Sequence, residues 1–191
     1  MYKNQKGFIP IIIILVVLIG FAGFYFLRSQ KPETVVDSTK DWKDYTNASL
    51  GLSFKYPEEY KFEELTLDSP NVKWMGNISN PKNIVDENTK TWDILDINVA
   101  VRGKRGLLLE EWIKDECLNK AKDITDIRID NKMAKMFTCP LADTDTQKIE
   151  WKIVVVENGN YFYTVSNTGY NRDIELNNVF DQILSTFKFT K

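Results

Sequence analysis

The side chains available for chemistry in this sequence are carboxylates and two cysteines, because the 191-residue chain contains no histidine. The absence of histidine excludes the common Ser-His-Asp and Cys-His nucleophile systems and the usual zinc sites. The carboxylates include three Glu-Glu pairs, which are Glu58-Glu59, Glu63-Glu64 and Glu110-Glu111. Adjacent side chains diverge in strands and turns, so we interpret these pairs as solvated surface charge. The sequence therefore predicts no catalytic residue.

A cofactor site is not predicted either, since the nine glycines are scattered and form no phosphate-binding loop. One weak calcium candidate exists, because Asp143, Asp145 and Glu150 could offer carboxylate oxygens from a polar loop. That stretch lacks the third acid and the glycine of a recognised calcium loop. We interpret it as a polar loop.

The two cysteines, Cys117 and Cys139, are 22 residues apart. If the domain that carries them lies outside the cytoplasm, a disulfide is the natural interpretation. A closed loop of that size would stabilise the fold by about 3 kcal/mol. Two buried free thiols are the alternative.

The segment from Phe8 to Leu27 contains 20 residues without a charge. A helix of that length spans about 30 Å, the thickness of the bilayer's hydrocarbon core. We interpret residues 8–27 as a transmembrane helix that holds the chain in the lipid bilayer, with the short tail 1–7 in the cytoplasm.

Two alternatives for this segment stay open. A cleaved signal peptide would use Gly20 and Ala22 as the small residues before the cut, but the apolar run continues past them. A pilin-like subunit would be processed between Gly7 and Phe8, because Lys6-Gly7-Phe8 resembles the prepilin-peptidase site of type IV pilins. In that family a glutamate stands fifth after the cut, where this chain has Ile12.

After the apolar segment, residues 28–40 are polar and predict a tether, and residues 41–191 predict one extracytoplasmic domain. Of the 25 basic residues, Lys3, Lys6 and Arg28 precede the part of the chain that would be exported, which is the tether after Arg28 and the domain. The remaining 22 stand against 27 acidic residues, which gives a net charge of −5. This balance argues against nucleic acid as a partner.

The residue pattern of the domain predicts several strands and two helices. Alternating apolar residues predict strands over 52–56, 60–65, 72–78, 92–101 and 133–138. In the fourth of these, Asp96 is expected on the outer face. Helical stripes of apolar residues predict one helix over 109–121 and another over 176–187, before a short terminal strand at 187–189.

The strongest local signal is a hairpin over 149–167, because Asn158-Gly159 is typical of a two-residue type I′ turn. That turn would pair Val156 with Tyr161 and Val154 with Tyr163. Both faces of the hairpin are apolar, so it is expected at the centre of a sheet that is covered on both sides. The pattern as a whole predicts an α+β antiparallel fold.

Three stretches resemble PsbP-like domains over about residues 42–190: LGLSFKYPEEYKF, the LEEW helix and FDQILSTFKF. The resemblance implies an α/β/α sandwich on a central antiparallel sheet. It also implies a role in binding, since better-known members are accessory or adaptor proteins, one of which supports the photosynthetic oxygen-evolving complex. No residue set that performs those roles is recognisable in this sequence.

The leading hypothesis is a single-pass membrane protein with an extracytoplasmic accessory domain and no enzymatic activity. It would bind an envelope protein or polymer through the sheet face or through the loops at 78–90 and 141–146. A pilin-like filament subunit is the first alternative. A carboxylate-dependent envelope enzyme is the second alternative, and it would need a concave acid pair with shifted pKa values.

Overall fold

The computed structural model describes residues 38–81, 96–144, 147–170 and 173–190, with the backbone alone over 141–144 and 147–149. Its strands are β1 (Lys43–Asn47), β2 (Leu52–Tyr56), β3 (Lys61–Leu65), β4 (Val72–Ser79), β5 (Asp96–Gly103), β6 (Lys122–Ile129), β7 (Lys132–Thr144), β8 (Gln147–Asn158), β9 (Tyr161–Asn167) and β10 (Lys188–Phe189). Its helices are α1 (Leu109–Glu116) and α2 (Ile174–Thr186). Thr39–Lys191 form one compact unit. None of the helices in the described residues is long and apolar enough to cross a membrane, and the predicted transmembrane helix 8–27 lies outside those residues.

The larger of two antiparallel sheets has seven strands in the order β3-β4-β5-β9-β8-β7-β6. Its central strands are apolar on both faces, as the sequence predicts for the β8–β9 hairpin. Val154 and Val156 pack on one side of the sheet, while Ile153 and Val155 pack on the other. Alternate residues of a strand point to opposite faces, so each face of this sheet needs its own cover.

The predicted register of this hairpin is wrong by two residues. Val156 pairs with Tyr163 and Val154 with Val165, so the two-residue loop is Gly159-Asn160. Gly159 has φ +58 and takes the first loop position, which suits a type II′ turn. Because side chains alternate with a period of two, a shift of two residues leaves every side chain on its predicted face.

One face of the large sheet carries the α2-side core, which is covered by α2 and by a small sheet in the order β1-β2-β10. Helix α2 begins at Asp173, whose carboxylate accepts the Leu176 N–H at 3.0 Å. Its buried residues are Leu176, Val179, Phe180, Ile183 and Leu184, which is the stripe that the sequence predicts. The sequence predicts one central sheet, whereas the structure has two sheets, and the small one was not predicted.

The opposite face carries the α1-side core, in which Trp112 and Ile113 of α1 pack on Phe137, Val155 and Phe162 of the sheet. The two helices therefore lie on opposite faces of the large sheet. Helix α1 ends at Glu116, about one turn earlier than the prediction of 109–121.

On the α2 side of the sheet, two aromatic rings occupy the space that a side chain at Gly76 of β4 would need. A Cβ atom at this position would lie 2.6 Å from Cε2 of Phe62 and 2.9 Å from Cη2 of Trp74. These distances are shorter than van der Waals contact, so a side chain at residue 76 would displace the rings. Gly103 at the end of β5 differs, because its nearest neighbour would be a backbone oxygen 3.9 Å away.

The C-terminal strand is attached at two places. Phe189 donates its N–H to the Asp130 carboxylate at 2.8 Å, and Thr190 donates its N–H to the Gly51 carbonyl at 3.0 Å. Lys188 lies 3.4 Å from the same carboxylate. The Phe189 hydrogen bond, with a further contribution from Lys188, lowers the pKa of Asp130. Asp130 lies in the β6–β7 turn, so it links β10 to the large sheet.

Candidate binding surface on helix α1

The outer side of α1 borders an open cleft of about 560 Å³. The residues that line this α1 cleft are Arg105, Leu107, Glu111, Lys114, Asp115 and Asn119. They come from the loop before the helix, from the exposed side of the helix and from its C-terminal turn. The sequence analysis did not predict the cleft, because its members are separately unremarkable surface residues.

Three attachments fix α1 on the sheet. Trp112 and Ile113 are each 2% exposed in the α1-side core. Arg102 of β5 reaches the Glu116 carboxylate at 3.2 Å. At the C-terminal end, Cys117 is joined to Cys139 of β7.

The structure joins these two cysteines as a disulfide whose Cα atoms are 5.2 Å apart, which is the pairing that the sequence analysis favours over free thiols. Both residues are buried, at 4% and 5% exposure. The bond closes a loop of 22 residues and therefore constrains the unfolded chain. Its position directly after α1 fixes the end of the helix that borders the cleft.

Leu118 is the most unusual residue of this surface. It follows α1 with φ +49, a left-handed conformation that disfavours side chains with a Cβ. The conformation ends the helix, because the Asn119 N–H can then reach back to the Lys114 carbonyl at 2.7 Å. Glycine is the usual residue at such a helix end. Leu118 is nevertheless 78% exposed, so core packing does not account for a leucine there.

A second exposed leucine lies at the other end of the helix. Leu108 precedes α1 and is 68% exposed. Its backbone N–H donates to the Glu111 carboxylate at 2.9 Å, which fixes the start of the helix. Just before it, Arg105 and Gly106 have φ +53 and +76. Left-handed residues therefore lie at both ends of α1, next to the cleft.

The charges that line the α1 cleft balance. Arg105 donates to the Asp115 carboxylate at 2.6 Å. Glu111 and Lys114 supply one further charge of each sign. We define the α1 surface as this neutral cleft together with Leu108 and Leu118.

A second polar cluster lies on the large sheet. Asn77 of β4 donates to the Asp96 carboxylate at 2.8 Å and to the side-chain oxygen of Asn98 at 3.2 Å. Asp96 is 8% exposed, and burial raises its pKa against the lowering effect of the Asn77 hydrogen bond. The prediction that Asp96 lies on an outer face is therefore wrong, because the first residue of β5 is enclosed.

The backbone of Asp96 is also bound, since its N–H donates to the Thr168 hydroxyl at 2.9 Å and its carbonyl accepts the Thr168 N–H at 3.0 Å. Glu63 raises the pKa of Asp96 further but is itself half exposed and paired with Lys61 at 2.5 Å. Asp96 is the only buried carboxyl among the residues that the structure describes. The cluster holds β4, β5 and the end of β9 together.

The calcium candidates are not assembled in the described part of the chain. Asp143 lies in β7 opposite Lys148, Asp145 lies outside the described residues, and Glu150 is 3.7 Å from Lys122. Within the described residues, no group of three or more acidic or cysteine side chains could hold a metal ion.

The other predicted sites lie mostly outside the described residues. Of the loop at 78–90 only residues 78–81 are described, and no side chain of the loop at 141–146 is. The processing site at Gly7 and Phe8 and the tether up to residue 37 are also outside them.

A family model for "PsbP-like protein" matches residues 7–189. The chain belongs to the PsbP-like family. This confirms the resemblance on which the fold expectation depends.

One solved structure shows that this chain has the fold of a PsbP-like protein. Cyanobacterial PsbP (CyanoP) from Synechocystis sp. PCC 6803, determined in solution, is similar with a TM-score of 0.55 and 13% identity, over 84% of this chain and 98% of that one. At such low identity the similarity shows the PsbP-like fold alone. A crystal structure from Bacteroides thetaiotaomicron is similar at a TM-score of 0.47 and 11% identity, over 78% of this chain and 48% of that one. No curated protein matches the chain.

Proposed function

We propose that this PsbP-like protein is a non-enzymatic accessory protein, held in the membrane by residues 8–27, whose extracytoplasmic domain binds another protein through the α1 surface. The partner is not nucleic acid, because the part of the chain after Arg28 carries a net charge of −5, from 22 basic and 27 acidic residues.

The observation that carries the proposal is Leu118, an exposed leucine in a left-handed conformation beside a cleft. Local stability favours glycine at this position. A residue that contradicts its local preference without a compensating contact in the fold suggests a functional constraint. Exposed leucines are common singly, but here two of them flank a cleft with balanced charges, which suits a protein partner more than a charged ligand.

The proposed location is supported by the sequence. An uncharged run of 20 residues matches the bilayer thickness. A disulfide between Cys117 and Cys139 suits an oxidising compartment.

The location is tested by the intact mass of the chain recovered from membranes. A mass that begins at Met1 or Tyr2 is the expected result. A mass that begins at Phe8 would instead favour the pilin-like alternative, and a mass that begins after Ala22 would indicate a cleaved signal peptide. External protease should degrade the domain on intact spheroplasts, whereas full protection would contradict the extracytoplasmic placement.

Binding through α1 is tested by the rate at which an amine reagent labels lysines. Lys114 lines the α1 cleft, while Lys61 on the far edge strand β3 has a side chain that is 62% exposed. In native membranes, Lys114 should react more slowly than in the dilute purified chain, and Lys61 should react equally in both. Equal rates for Lys114 in the two preparations would contradict a partner at this surface.

A further inference from the structure

We propose that the α1 surface is presented only by the oxidised chain, because formation of the Cys117–Cys139 disulfide fixes the turn that carries Leu118. This inference rests on the proposed function, since it names how binding at the same surface is regulated. The chain is synthesised with two thiols, so the surface is completed only after the chain meets an oxidant. In the reduced chain the domain stays folded, while the turn after α1 is released.

The first argument is the position of the bond within the surface. Cys117 is the C-cap residue of α1. The cleft residues Lys114, Asp115 and Asn119 lie within three positions of it, and Leu118 is the next residue of the chain. A change in how Cys117 is held therefore reaches the C-terminal half of the α1 surface directly.

The second argument is that the turn is unfavourable on its own. Leu118 and Asn119 have φ +49 and +63, so two successive residues are left-handed, and a leucine side chain disfavours this conformation. The turn is closed by the hydrogen bond from the Asn119 N–H to the Lys114 carbonyl at 2.7 Å. A helix of eight residues is marginal in water without tertiary contacts. Local preference therefore does not hold this helix end, and an attachment to the sheet must do so.

The third argument is that Cys117 supplies this attachment. Of residues 114–120, all of which the structure describes, Cys117 alone is buried, at 4% exposure. The buried Trp112 and the ion pair between Arg102 and Glu116 hold the helix at earlier positions. Without the bond, the body of α1 therefore stays on the sheet, and the turn after it is freed.

The fourth argument concerns which side of the bond yields when the bond is absent. Two thiol sulfurs cannot stay at bonding distance, so they must separate within a close-packed core. Cys139 lies in β7 and pairs with Trp151 of β8, while the neighbouring Thr138 pairs with Lys122 of β6. Strand β7 is thus held on both sides, whereas Cys117 is followed by three exposed residues. The movement therefore falls on the end of α1.

Formation of the bond is a two-electron oxidation by a disulfide oxidant. The thiolate of one cysteine attacks the oxidant's disulfide, and one oxidant thiolate leaves. The second cysteine thiolate then attacks the mixed disulfide, which closes the Cys117–Cys139 bond and releases the oxidant as a dithiol that carries the two protons. Such oxidants act in compartments outside the cytoplasm. Since the two cysteines are 4% and 5% exposed, the closed bond is shielded from reductants and the surface is kept once it has formed.

The test compares the effect of Leu118→Gly in the oxidised full chain and in the full chain that has been unfolded, reduced and refolded in excess dithiothreitol. In the oxidised chain the substitution should raise Tm by about 1–4 °C, because glycine relieves the left-handed backbone. In the reduced chain the rise should disappear, because Leu118 has already left that conformation. A rise of equal size in both chains, no rise in either, or a reduced chain that does not fold would each overturn the inference.

Limited proteolysis of the same two preparations measures the release of the turn directly. A lysine-specific protease should cleave after Lys120, which is exposed in the turn. Lys55 in the central strand of the small sheet is the control, because cleavage there requires that sheet to unfold. On reduction, the cleavage rate after Lys120 relative to that after Lys55 should rise at least about tenfold. An unchanged ratio would contradict the inference, because the bond would then stabilise the domain only as a whole.

The link to binding is tested in native membranes by amine labelling of Lys114 in the unmodified chain and in the Cys117→Ala, Cys139→Ala double variant, with Lys61 as the control. The protection of Lys114 should be lost in the double variant, while Lys61 reacts equally in both chains. Protection of Lys114 in both chains would overturn the inference and leave the proposed function standing. A Lys114 that is unprotected in both would end the proposed function, and its regulation with it.

Discussion

The substitution Leu118→Gly is expected to stabilise the folded chain although it deletes a large apolar side chain. A residue with a Cβ in the left-handed region costs about 1–2 kcal/mol that glycine does not. Against this, glycine gives the unfolded chain extra freedom worth roughly 0.5–1 kcal/mol. Since Leu118 is 78% exposed, little apolar burial is lost. The difference of those two terms lies between about 0 and 1.5 kcal/mol, so the expected gain in the free energy of unfolding is about 0.75 kcal/mol.

Two neighbouring substitutions give this prediction its controls. Asn119 has φ +63, but asparagine tolerates this region, so Asn119→Gly should stabilise less. Lys114 is exposed inside α1, where Lys114→Gly should destabilise by about 1 kcal/mol. The assay is thermal unfolding of the full chain, with an expected rise in Tm of about 1–4 °C for Leu118→Gly. A fall in Tm for Leu118→Gly comparable to that of Lys114→Gly would refute the reasoning, because Leu118 would then be a stabilising residue.

Three further predictions concern the fold. Replacing Cys117 and Cys139 together by alanine should lower the free energy of unfolding by about 3 kcal/mol, measured in denaturant. The native chain should show no free thiol until it is unfolded and reduced. Two titratable thiols in the native chain would contradict the bond. Gly76→Ala should destabilise the fold by about 1–3 kcal/mol, because the new Cβ would clash with two aromatic rings. Gly103→Ala is the control and should be close to neutral. Equal effects of the two substitutions would contradict the clash at residue 76. The lowered pKa of Asp130 means that its contribution to stability is present above the unfolded-state pKa of about 3.9 and is lost as pH falls through the folded value. Asp130→Asn should therefore flatten the dependence of unfolding free energy on pH below about 4, and an unchanged slope would contradict this assignment.

The sequence predicts those parts of the fold whose periodicity is strong. The apolar stripe of α2 and the two apolar faces of the β8–β9 hairpin follow directly from residue spacing, and both lie in the core. Strand β6 was missed, because its sequence KDITDIRI is mostly exposed at a sheet edge and gives no continuous apolar face. Strand β1 was missed for the same reason, because it is a short edge strand of mostly exposed residues and so shows no apolar face.

The candidate binding surface was less predictable than the fold. Its distinguishing feature is the left-handed backbone of Leu118, and a leucine after a helix carries no sequence signal for that conformation. The burial of Asp96 likewise depends on Asn77 and Thr168, which are distant in sequence. The hairpin register failed for a different reason, because Asn158-Gly159 and Gly159-Asn160 are both acceptable two-residue turns and the sequence alone does not choose between them.

The small sheet places β10 beside β2, so the first part of the domain pairs with residues more than a hundred positions later in the chain. Phe187 and Phe189 pack with the residues of β1 and β2 in the same core, and Thr190 closes onto Gly51. A nascent chain that still lacks residues 187–190 cannot complete this sheet, and contacts of such long range form late and slowly. Completion of the small sheet therefore follows the synthesis of residues 187–190, whichever part of the domain has folded before them.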